Sequence, residues 1–406
     1  GVNRLRILHP GPDADQPFWT KEGTGLLIWN GEIYKFRELR KLLQSLGVEV
    51  VTQSDTEVLL YYLKFFGTEG LKKIQGMFTL IYVDVVGKSV LVARDPNGEK
   101  PLYFSQNPDT LYISSETRGI AQLTRAKADL GQIENYFYFR NPTPGKTFYR
   151  GVRAWKPGRY SQIFHHNTFR WDTLSIPSSA EKTITKDLFK STLEKVITNQ
   201  FHADVPLGIM LSGGVDSSLL YALWYQQTGT PLPAFTIQVE KNYRKKYADG
   251  DAAKRFVQSY PADHQLIEID QKTVLDHWDE FVCSIDQPIG DSAGFLTWMI
   301  GKKAKNQVKV IASGAGADEL WGGYQRHKAF HQYLSNQSFW VSWAPLLQKF
   351  PFGREWKKFT SAIRPNAQET FLNFSALSNP NPDLYGDYLR IMDSNLTAYK
   401  SALDFD

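Results

Sequence analysis

The chain has 406 residues, of which 42% are hydrophobic and 14% aromatic, a composition that indicates two or three folded domains and excludes a disordered protein. The net charge of +5 comes without a long Lys/Arg block, which fits small anionic ligands and argues against a nucleic-acid partner. A single cysteine, Cys283, excludes an intramolecular disulfide, and no apolar run is long enough to cross a bilayer. Because the first residues also lack the apolar core of a signal peptide, we expect a cytoplasmic protein with no membrane partner.

The first part of the chain alternates strand-like and helix-like segments. Residues 26–29 predict a short strand that ends at residues 30–32, and residues 34–46 have the apolar spacing of a helix. Residues 77–94 read as two strands joined by a tight turn, which predicts a hairpin. This part is therefore expected to be a sheet-rich domain with covering helices.

A helix start is predicted at Ser54. Its hydroxyl is typical of an N-cap, and Glu57 stands three residues later, where it completes a capping box. The apolar segment that follows predicts the body of the helix.

The most informative stretch is VPLGIMLSGGVDSSLL, residues 205–220. A short apolar run predicts a buried strand, a glycine pair predicts a tight turn, and the following residues continue as a helix. Free backbone N–H groups and the helix dipole favour an anion at such a turn, and paired glycines let the anion approach closely. The lysine of a Walker loop is missing. The polar candidates in the turn are Ser212, Gly213, Gly214, Asp216, Ser217 and Ser218. The alternative is an ordinary turn without a ligand.

Strand-like and helix-like segments alternate after this turn. Strands are predicted at 234–239, 265–269 and 308–312, with helices around 247–260, 271–283 and 293–305 between them. Such alternation predicts a parallel sheet with right-handed crossovers, and ligands then bind at the carboxyl ends of the strands. This arrangement is expected to place the glycine turn close to Ile237 and to the segment SGAGADELWGGY, residues 313–324.

Two aspartates are expected near the same phosphate site. Asp216 lies in the glycine turn and Asp318 in the SGAGADELWGGY segment. Carboxylates suit Mg²⁺, with waters and phosphate oxygens as its other ligands. The alternative for the second segment is a glycine-rich turn with solvated acids.

The domain organisation follows from a polar stretch without periodicity at residues 172–182, which predicts a linker. We therefore expect a first domain at 1–171 and a second at 183–406, the second beginning with a helix at about 183–201. From about residue 332 onward the sequence is rich in aromatic and helical segments and has no motif of its own.

Several segments resemble one family. NGEIYKFRELR from Asn30, SDTEVLL from Ser54, GMFTLIYVD from Gly76 and ARDPNGEKPLYF from Ala93 are similar to the glutaminase domain of glutamine-dependent asparagine synthetases. SGGVDSS resembles the pyrophosphate loop of ATP pyrophosphatases, and SGAGADELWGGY resembles the family's second signature. The resemblance implies an α/β protein: an N-terminal-nucleophile sandwich of two sheets between helices, then a Rossmann-like parallel-sheet ATP-pyrophosphatase domain with a helical C-terminal region.

The resemblance also implies a glutamine pocket. An Arg side chain can pair with an α-carboxylate, carboxylates can hold an α-ammonium, and an Asn side chain with a glycine N–H can form an oxyanion hole. The implied residues are Arg4, Asn30, Gly31, Glu32 and Asp55. The alternative is that Asn30 and Gly31 form a turn and that Asp55 is only a neighbour of the helix cap.

The second domain is implied to use ATP and Mg²⁺. The implied metal ligands are Asp216 and Asp318, and the implied acid-substrate residues are Asp286 and Asp291. The implied ATP-binding residues are Leu211, Ser212, Gly213, Gly214, Asp216, Ser217, Ser218, Ile237, Ser313 and Gly314.

Two positions depart from the family pattern. The family's nucleophile is an N-terminal cysteine whose own α-amine is the base, whereas residue 1 here is glycine. Cys283 stands at an apolar helix end and is predicted to be an inert core thiol. Either a segment precedes Gly1, which we favour, or glutamine hydrolysis has been lost. Ala315 occupies a position that is usually a carboxylate in the family.

The resulting expectation is an ATP-dependent ligase that makes asparagine from aspartate, with glutamine or ammonia as nitrogen donor, through an acyl-adenylate and pyrophosphate release. One alternative is a relative that acts on another acid without glutaminase activity, such as a β-lactam synthetase, a peptide cyclase or another amide ligase. A nucleotide-binding pseudoenzyme is a third hypothesis. The expected partners are small-molecule substrates, and a homodimer is left open.

Overall fold

The computed structural model describes residues 1–164, 169–174, 184–240, 249–351 and 353–376. The chain divides into two compact units. Unit 1 contains Gly1–Ile120, Ala154–Ser284 and Phe295–Gly314. Unit 2 contains Ala121–Arg153, Ile285–Gly294 and the described residues from Ala315 onward.

The N-terminal part forms two sheets. Its elements are β1 (Phe18–Trp19), β2 (Gly25–Ile33), α1 (Phe36–Ser45), α2 (Asp55–Leu71), β3 (Gly76–Asp84), β4 (Ser89–Arg94), β5 (Tyr103–Gln106), β6 (Leu111–Ser114), α3 (Thr117–Thr124), α4 (Leu130–Phe139), β7 (Arg153–Ala154), β8 (Arg159–Ile163) and β9 (Phe169–Thr173). One sheet is antiparallel with the order β1-β2-β3-β4-β8-β9, and the other has the order β6-β5-β7.

The large sheet is covered on both faces because its strands alternate apolar side chains. On β3, Leu80 and Tyr82 are buried in a core with residues of α2 such as Leu59. The next residue, Ile81, points to the opposite face and packs in a second core with Trp155 and the small-sheet residue Phe104. The predicted sandwich of two sheets with covering helices is therefore confirmed.

Two local predictions in this part are wrong. Residues 30–32 do not end the strand, because β2 continues to Ile33 in register with β3. Ser54 is the N-cap of α2, as predicted, but the capping box does not form. The carboxylate of Glu57 instead accepts hydrogen bonds from the backbone nitrogens of Val51 (3.1 Å) and Thr52 (2.6 Å).

The second part of unit 1 is a parallel sheet. Its elements are α5 (Lys186–Gln200), β10 (Leu207–Met210), α6 (Val215–Thr228), β11 (Pro233–Val239), α7 (Asp249–Ser259), β12 (Asp263–Ile269), α8 (Gln271–Ser284), α9 (Ala293–Ala304) and β13 (Val310–Ala312). The strand order β12-β11-β10-β13 with parallel pairing confirms the predicted sheet. Its inner strand β10 leads directly into the glycine turn.

Unit 2 gathers helices around a separate apolar core that includes Tyr333, Ala344 and Phe374. Besides α4, unit 2 contains α10 (Ala317–Trp321), α11 (Gln325–Ser335), α12 (Gln337–Leu347), α13 (Arg354–Ala362) and α14 (Ala367–Ser375). The predicted helical character is confirmed up to residue 376, and the part of that prediction beyond 376 lies outside the described residues.

The α/β fold class is confirmed by the antiparallel sandwich, the parallel sheet and the surrounding helices. The domain boundaries stay a prediction. Asp172 and Thr173 belong to β9, and positions 175–182 of the predicted linker lie outside the described residues. Among the helices of the described residues, none has the length and apolar character that crossing a membrane requires.

Candidate functional site

A cavity of about 450 Å³ opens beside β2 in unit 1. This volume falls within the range of small-molecule sites, roughly 300–1,000 Å³. Its lining includes all five residues predicted to hold glutamine: Arg4, Asn30, Gly31, Glu32 and Asp55. The structure therefore brings the five predicted residues together.

Strand pairing positions three of these residues. Asn30 lies opposite Thr79 and Gly31 opposite Phe78 in the β2–β3 ladder. A Cβ atom at Gly31 would overlap the carbonyl oxygen of Met77 and lie 2.7 Å from the Cα atom of Phe78. Glycine is therefore required by close strand approach and not by a turn. The oxyanion role of Asn30 and Gly31 stays a prediction.

Asp55 is the first residue of α2, and only 5% of its surface is exposed. Its carboxylate accepts long hydrogen bonds of 3.4 Å from the backbone nitrogen of Ile33 and from the hydroxyl of Ser54. Burial raises the pKa of Asp55 to about 7; the Ile33 N–H opposes the shift, Glu32 adds to it and Arg4 opposes it. Asp55 is thus a weakly solvated acid poised to ionise beside a cation.

Glu32 is the second acid of the cavity. Burial raises the pKa of Glu32, and the positive charge of Lys100 opposes that shift. A bound ammonium group would stabilise both ionised carboxylates, so the pair suits an α-amino group.

Arg4 makes contacts that the sequence did not predict. Its Nη2 atom donates to the carbonyl oxygens of Leu8 (2.7 Å) and His9 (3.1 Å), and its Nη1 atom donates to that of Gly11 (3.3 Å). Nη1 also lies 3.5 Å from a carboxylate oxygen of Asp15. Arg4 therefore fastens the turn at residues 8–15, and its pairing with a substrate carboxylate stays a prediction.

The predicted burial of Cys283 is wrong. This cysteine lies in the last turn of α8 and is exposed. Phe281 is the buried residue of that turn, and a residue two positions further on a helix faces the other way. The backbone carbonyl oxygen of Cys283 accepts a hydrogen bond of 3.1 Å from the Arg118 side chain.

The glycine turn joins β10 to α6 and is held by its own serines. The Ser212 hydroxyl accepts from the backbone nitrogen of Gly214 (3.2 Å) and lies 3.0 Å from the Ser217 hydroxyl. The Ser217 hydroxyl in turn accepts from the backbone nitrogen of Ser212 (3.2 Å). Among the described residues, the buried Ser218 hydroxyl has no hydrogen-bond partner. The turn is thus pre-formed and keeps a free donor.

Two glycines allow the backbones around this turn to approach closely. Gly213 has a φ of +71°, and a Cβ atom there would overlap the backbone nitrogen of Ala253 and lie 2.5 Å from the carbonyl carbon of Ala252. A Cβ atom at Gly314 would lie 2.9 Å from the backbone nitrogen of Ser217. The Ser313–Gly314 end of the second motif therefore meets the glycine turn, as predicted.

The neighbouring strand end completes this edge of the sheet. Leu211 donates its N–H to the carbonyl oxygen of Phe235 (2.9 Å), and the Thr236 hydroxyl donates to the carbonyl oxygen of Leu211. Ile237 follows on β11, partly buried. The predicted ATP-binding residues thus lie at the carboxyl ends of β10, β11 and β13, and their contact with ATP stays a prediction.

The two predicted metal ligands belong to different units. Asp216 is exposed in the first turn of α6, and Asp318 lies in α10 of unit 2. In the described part of the chain, no three His, Cys, Asp or Glu side chains form a metal-binding group. The Asp216 carboxylate beside the donor-rich turn fits Mg²⁺ bound together with phosphate, which the chemistry of the donor set supports. The metal pair stays a prediction.

The acid-substrate candidates lie in unit 2. Asp291 accepts a hydrogen bond of 2.9 Å from the backbone nitrogen of Ala293 at the start of α9. Gly290 packs against Arg140, whose Cα atom would be 2.9 Å from a Cβ at that glycine. Asp286 lies in the same loop, and Ala315 is exposed at the turn before α10. The role of Asp286 and Asp291 in binding the acid substrate stays a prediction.

Lys100 also lines the glutamine-type cavity and was not predicted. In the segment ARDPNGEKPLYF, turn signals and this lysine follow directly after a predicted strand. A charged residue in the loop after a sheet strand was the available signal.

The comparisons with known proteins agree with this geometry. The family model of the glutamine amidotransferase domain matches residues 1–172, and that of asparagine synthase matches residues 188–398. The fold and site thus define a chain that combines an amidotransferase domain with a synthetase domain. The chain belongs to the asparagine synthase family.

Curated relatives carry corresponding names. An asparagine synthetase (glutamine-hydrolyzing) 1 of Bacillus subtilis is 28% identical over 335 residues, covering 81% of this chain and 52% of the relative. A putative asparagine synthetase (glutamine-hydrolyzing) of Mycobacterium bovis is 30% identical over 347 residues, covering 80% of this chain and 52% of the relative. The chain therefore spans about half the length of the curated relatives it matches.

Proposed function

We propose that this protein is an ATP-dependent amide-forming ligase that makes asparagine from aspartate, with glutamine or ammonia as nitrogen donor. The observation that carries the proposal is the contact between the glycine turn and Gly314 at the carboxyl ends of β10 and β13. That edge is where parallel sheets bind their ligands. Membership of the asparagine synthase family supports the same activity.

The proposed reaction has two steps. The acid's carboxylate attacks the α-phosphorus of ATP, an acyl-adenylate forms and pyrophosphate leaves. Ammonia then attacks the acyl carbon, AMP leaves and an amide remains after loss of a proton. Pre-positioned N–H and hydroxyl donors in the turn would hold the phosphates, so catalysis of the first step would come from positioning and charge stabilisation.

Mg²⁺ would be held by Asp216 and would supply positive charge for the departing pyrophosphate, while Asp318 of unit 2 stays a predicted ligand. The carboxylate chemistry of these residues and the exposure of Asp216 support this assignment. In the first domain, Glu32 and Asp55 would receive the α-ammonium group of glutamine.

Pyrophosphate release tests the proposal. The protein is incubated with ATP, Mg²⁺, aspartate and ammonia, and ammonia is chosen because it bypasses the glutaminase step. We expect aspartate-dependent release that Asp216→Ala lowers at least 100-fold. Asp276→Ala removes an exposed carboxylate on α8 and is expected to leave the rate unchanged. Full activity of Asp216→Ala would contradict the assigned metal role.

The rival candidate is a relative that acts on another acid, and Ala315 is the observation that favours it. It stands in the second motif where the family usually has a carboxylate. Pyrophosphate release that depends on another acid, with none from aspartate, would decide for that candidate.

A further inference from the structure

The turn that follows α10 folds back over the metal-ligand candidate Asp318. The helix ends at Trp321, and Gly322 continues the chain with a φ of +73°. The backbone nitrogens of Gly322 and Gly323 both donate to the carbonyl oxygen of Asp318, at 2.9 Å and 3.1 Å. Two hydrogen bonds to one carbonyl group therefore fix Gly323 directly beside the residue that carries the carboxylate.

Gly323 lies against the Asp318 carboxylate because it has no side chain. A Cβ atom at Gly323 would overlap the Oδ1 atom of Asp318 and lie 2.8 Å from its Cγ atom. The same Cβ would lie 3.4 Å from the Cα atom of Asp318, which is an ordinary van der Waals distance. Gly323 does not share the positive φ of its neighbour Gly322, so its backbone conformation suits alanine as well. An added methyl group is therefore expected to displace the carboxylate and to leave the backbone in place.

The two acids of α10 differ in what they already bind. The Glu319 carboxylate accepts a hydrogen bond of 2.6 Å from the Tyr324 hydroxyl. That bond raises the pKa of Tyr324 to about 12, helped by desolvation and by the negative charges of Glu319 and Asp318, so the hydroxyl stays a donor at neutral pH. In the described parts of the chain, the partly buried Asp318 carboxylate has neither a hydrogen-bond partner nor an ion-pair partner. Asp318 is thus the acid of this helix that remains available to a cation.

Tyr324 anchors the far end of the same turn. The guanidinium carbon of Arg326 lies 4.2 Å from the centre of the Tyr324 ring, a cation–π distance. The backbone nitrogen of His327 donates to the Tyr324 carbonyl oxygen (2.9 Å), and the His327 ring stacks on Phe371 of α14 with 6.2 Å between ring centres. Gly323 is therefore held between α10 and these contacts, and a shift of the turn away from α10 would break several of them.

We propose that Gly323 is a positioning residue for the Asp318 carboxylate: by having no side chain, it keeps that carboxylate in the orientation that binds a divalent cation. The inference rests on the metal role proposed for Asp318 and adds the residue that sets its orientation. Gly323 does not touch the cation, and its effect passes through Asp318. A metal ligand that is held by its neighbours loses affinity when such a neighbour is altered, typically by a factor of about 10–100.

Binding of a manganese nucleotide tests this role without requiring catalysis. The probe is the Mn²⁺ complex of α,β-methylene-ATP, which cannot be cleaved between its α and β phosphates, and its affinity is measured by EPR titration. Gly323→Ala is expected to weaken binding roughly tenfold. Its denaturant midpoint should equal that of the unaltered protein, because the methyl group displaces a side chain and not the backbone. A large fall in the midpoint would contradict that premise and overturn the inference.

Gly301→Ala is the matched control. Gly301 lies in α9, and a Cβ atom there would have nothing within 4 Å. This variant should bind the manganese nucleotide like the unaltered protein.

A double variant shows whether Gly323 acts through Asp318. Asp318→Ala alone is expected to weaken binding at least as much as Gly323→Ala. Adding Gly323→Ala to Asp318→Ala should change the affinity by less than about twofold, because the carboxylate that it displaces is already gone. A clear further loss in the double variant, or unaltered binding by Gly323→Ala alone, would overturn the inference. Normal binding by Asp318→Ala would instead refute the metal role of Asp318 itself, which separates the two hypotheses.

Discussion

Asp55 shows at the residue scale how a binding site costs stability. The carboxyl group is almost completely buried, its two hydrogen bonds are long, and Glu32 is a second negative charge nearby. Ionising this buried group is therefore unfavourable, and its pKa rises to about 7. A ligand ammonium would remove this cost, so affinity is gained at the expense of the unliganded fold.

Asp55→Asn is expected to stabilise the unliganded protein at pH 8. The folded pKa of about 7 exceeds the unfolded value of about 3.9, so the folded state holds more protons between these values. Stability of the unaltered protein therefore falls as pH rises from about 4 to 7, and the cost is fully present above pH 7. At about 1.4 kcal/mol per pKa unit, the expected gain at pH 8 is a few kcal/mol.

Denaturant unfolding at pH 5 and pH 8 measures this effect. Asp109→Asn replaces an exposed carboxylate and should show no comparable pH dependence. If Asp55→Asn gains no more stability at pH 8 than at pH 5, the burial argument fails. The same variant should bind L-glutamine more weakly, because a neutral amide does not pair with an ammonium group.

The glycine turn between β10 and α6 shows what one element demands of its residues. Positive φ at Gly213 would strain any other residue, and the first turn of α7 presses against the same atom position. The turn can therefore present its N–H groups to a ligand while α7 packs against the turn at Gly213.

Gly213→Ala is expected to destabilise the fold and to abolish ATP binding. Gly229→Ala is the matched control, since Gly229 also has positive φ (+66°) but has nothing near its would-be Cβ atom. The control should cost about 1 kcal/mol through backbone strain alone. Gly213→Ala should cost about 1–3 kcal/mol more, because its Cβ overlaps the α7 backbone. Denaturant unfolding and ATP calorimetry check this, and equal costs for the two variants would contradict it.

Most helices and strands could be predicted from the sequence, because the spacing of their apolar residues matches the faces that they bury. The four parallel strands and their helices appear within a few residues of their predicted positions. Residues 30–32 were assigned wrongly because Asn-Gly is typical of turns, whereas pairing with β3 keeps them extended. Burial of Cys283 was wrong because an apolar segment does not reveal which face of α8 is covered. The contacts of Arg4 depend on a turn whose path no periodicity encodes.

At the scale of the whole molecule, unit 1 joins the antiparallel sandwich to the parallel sheet. The backbone nitrogen of Asp204 donates to the carbonyl oxygen of Ile7 (3.2 Å), and the backbone nitrogen of His9 donates to the Asp204 carboxylate (2.9 Å). Residues 7–9 continue from the segment that lines the glutamine-type cavity, and Asp204 stands shortly before β10. The two bonds therefore connect the surroundings of both candidate sites.

Asp204→Ala is expected to loosen both sides of this connection together. A hydrogen bond to a partly exposed carboxylate contributes about 1 kcal/mol, which corresponds to roughly a fivefold change in an opening equilibrium. Hydrogen exchange should therefore rise about fivefold in peptides covering residues 7–9 and 202–206, while the helices of unit 2 stay unchanged. Asp187→Ala, an exposed carboxylate on α5, serves as the control. Faster exchange at 202–206 with no change at 7–9 would contradict the prediction, because the carboxylate that is removed is the acceptor of the His9 N–H.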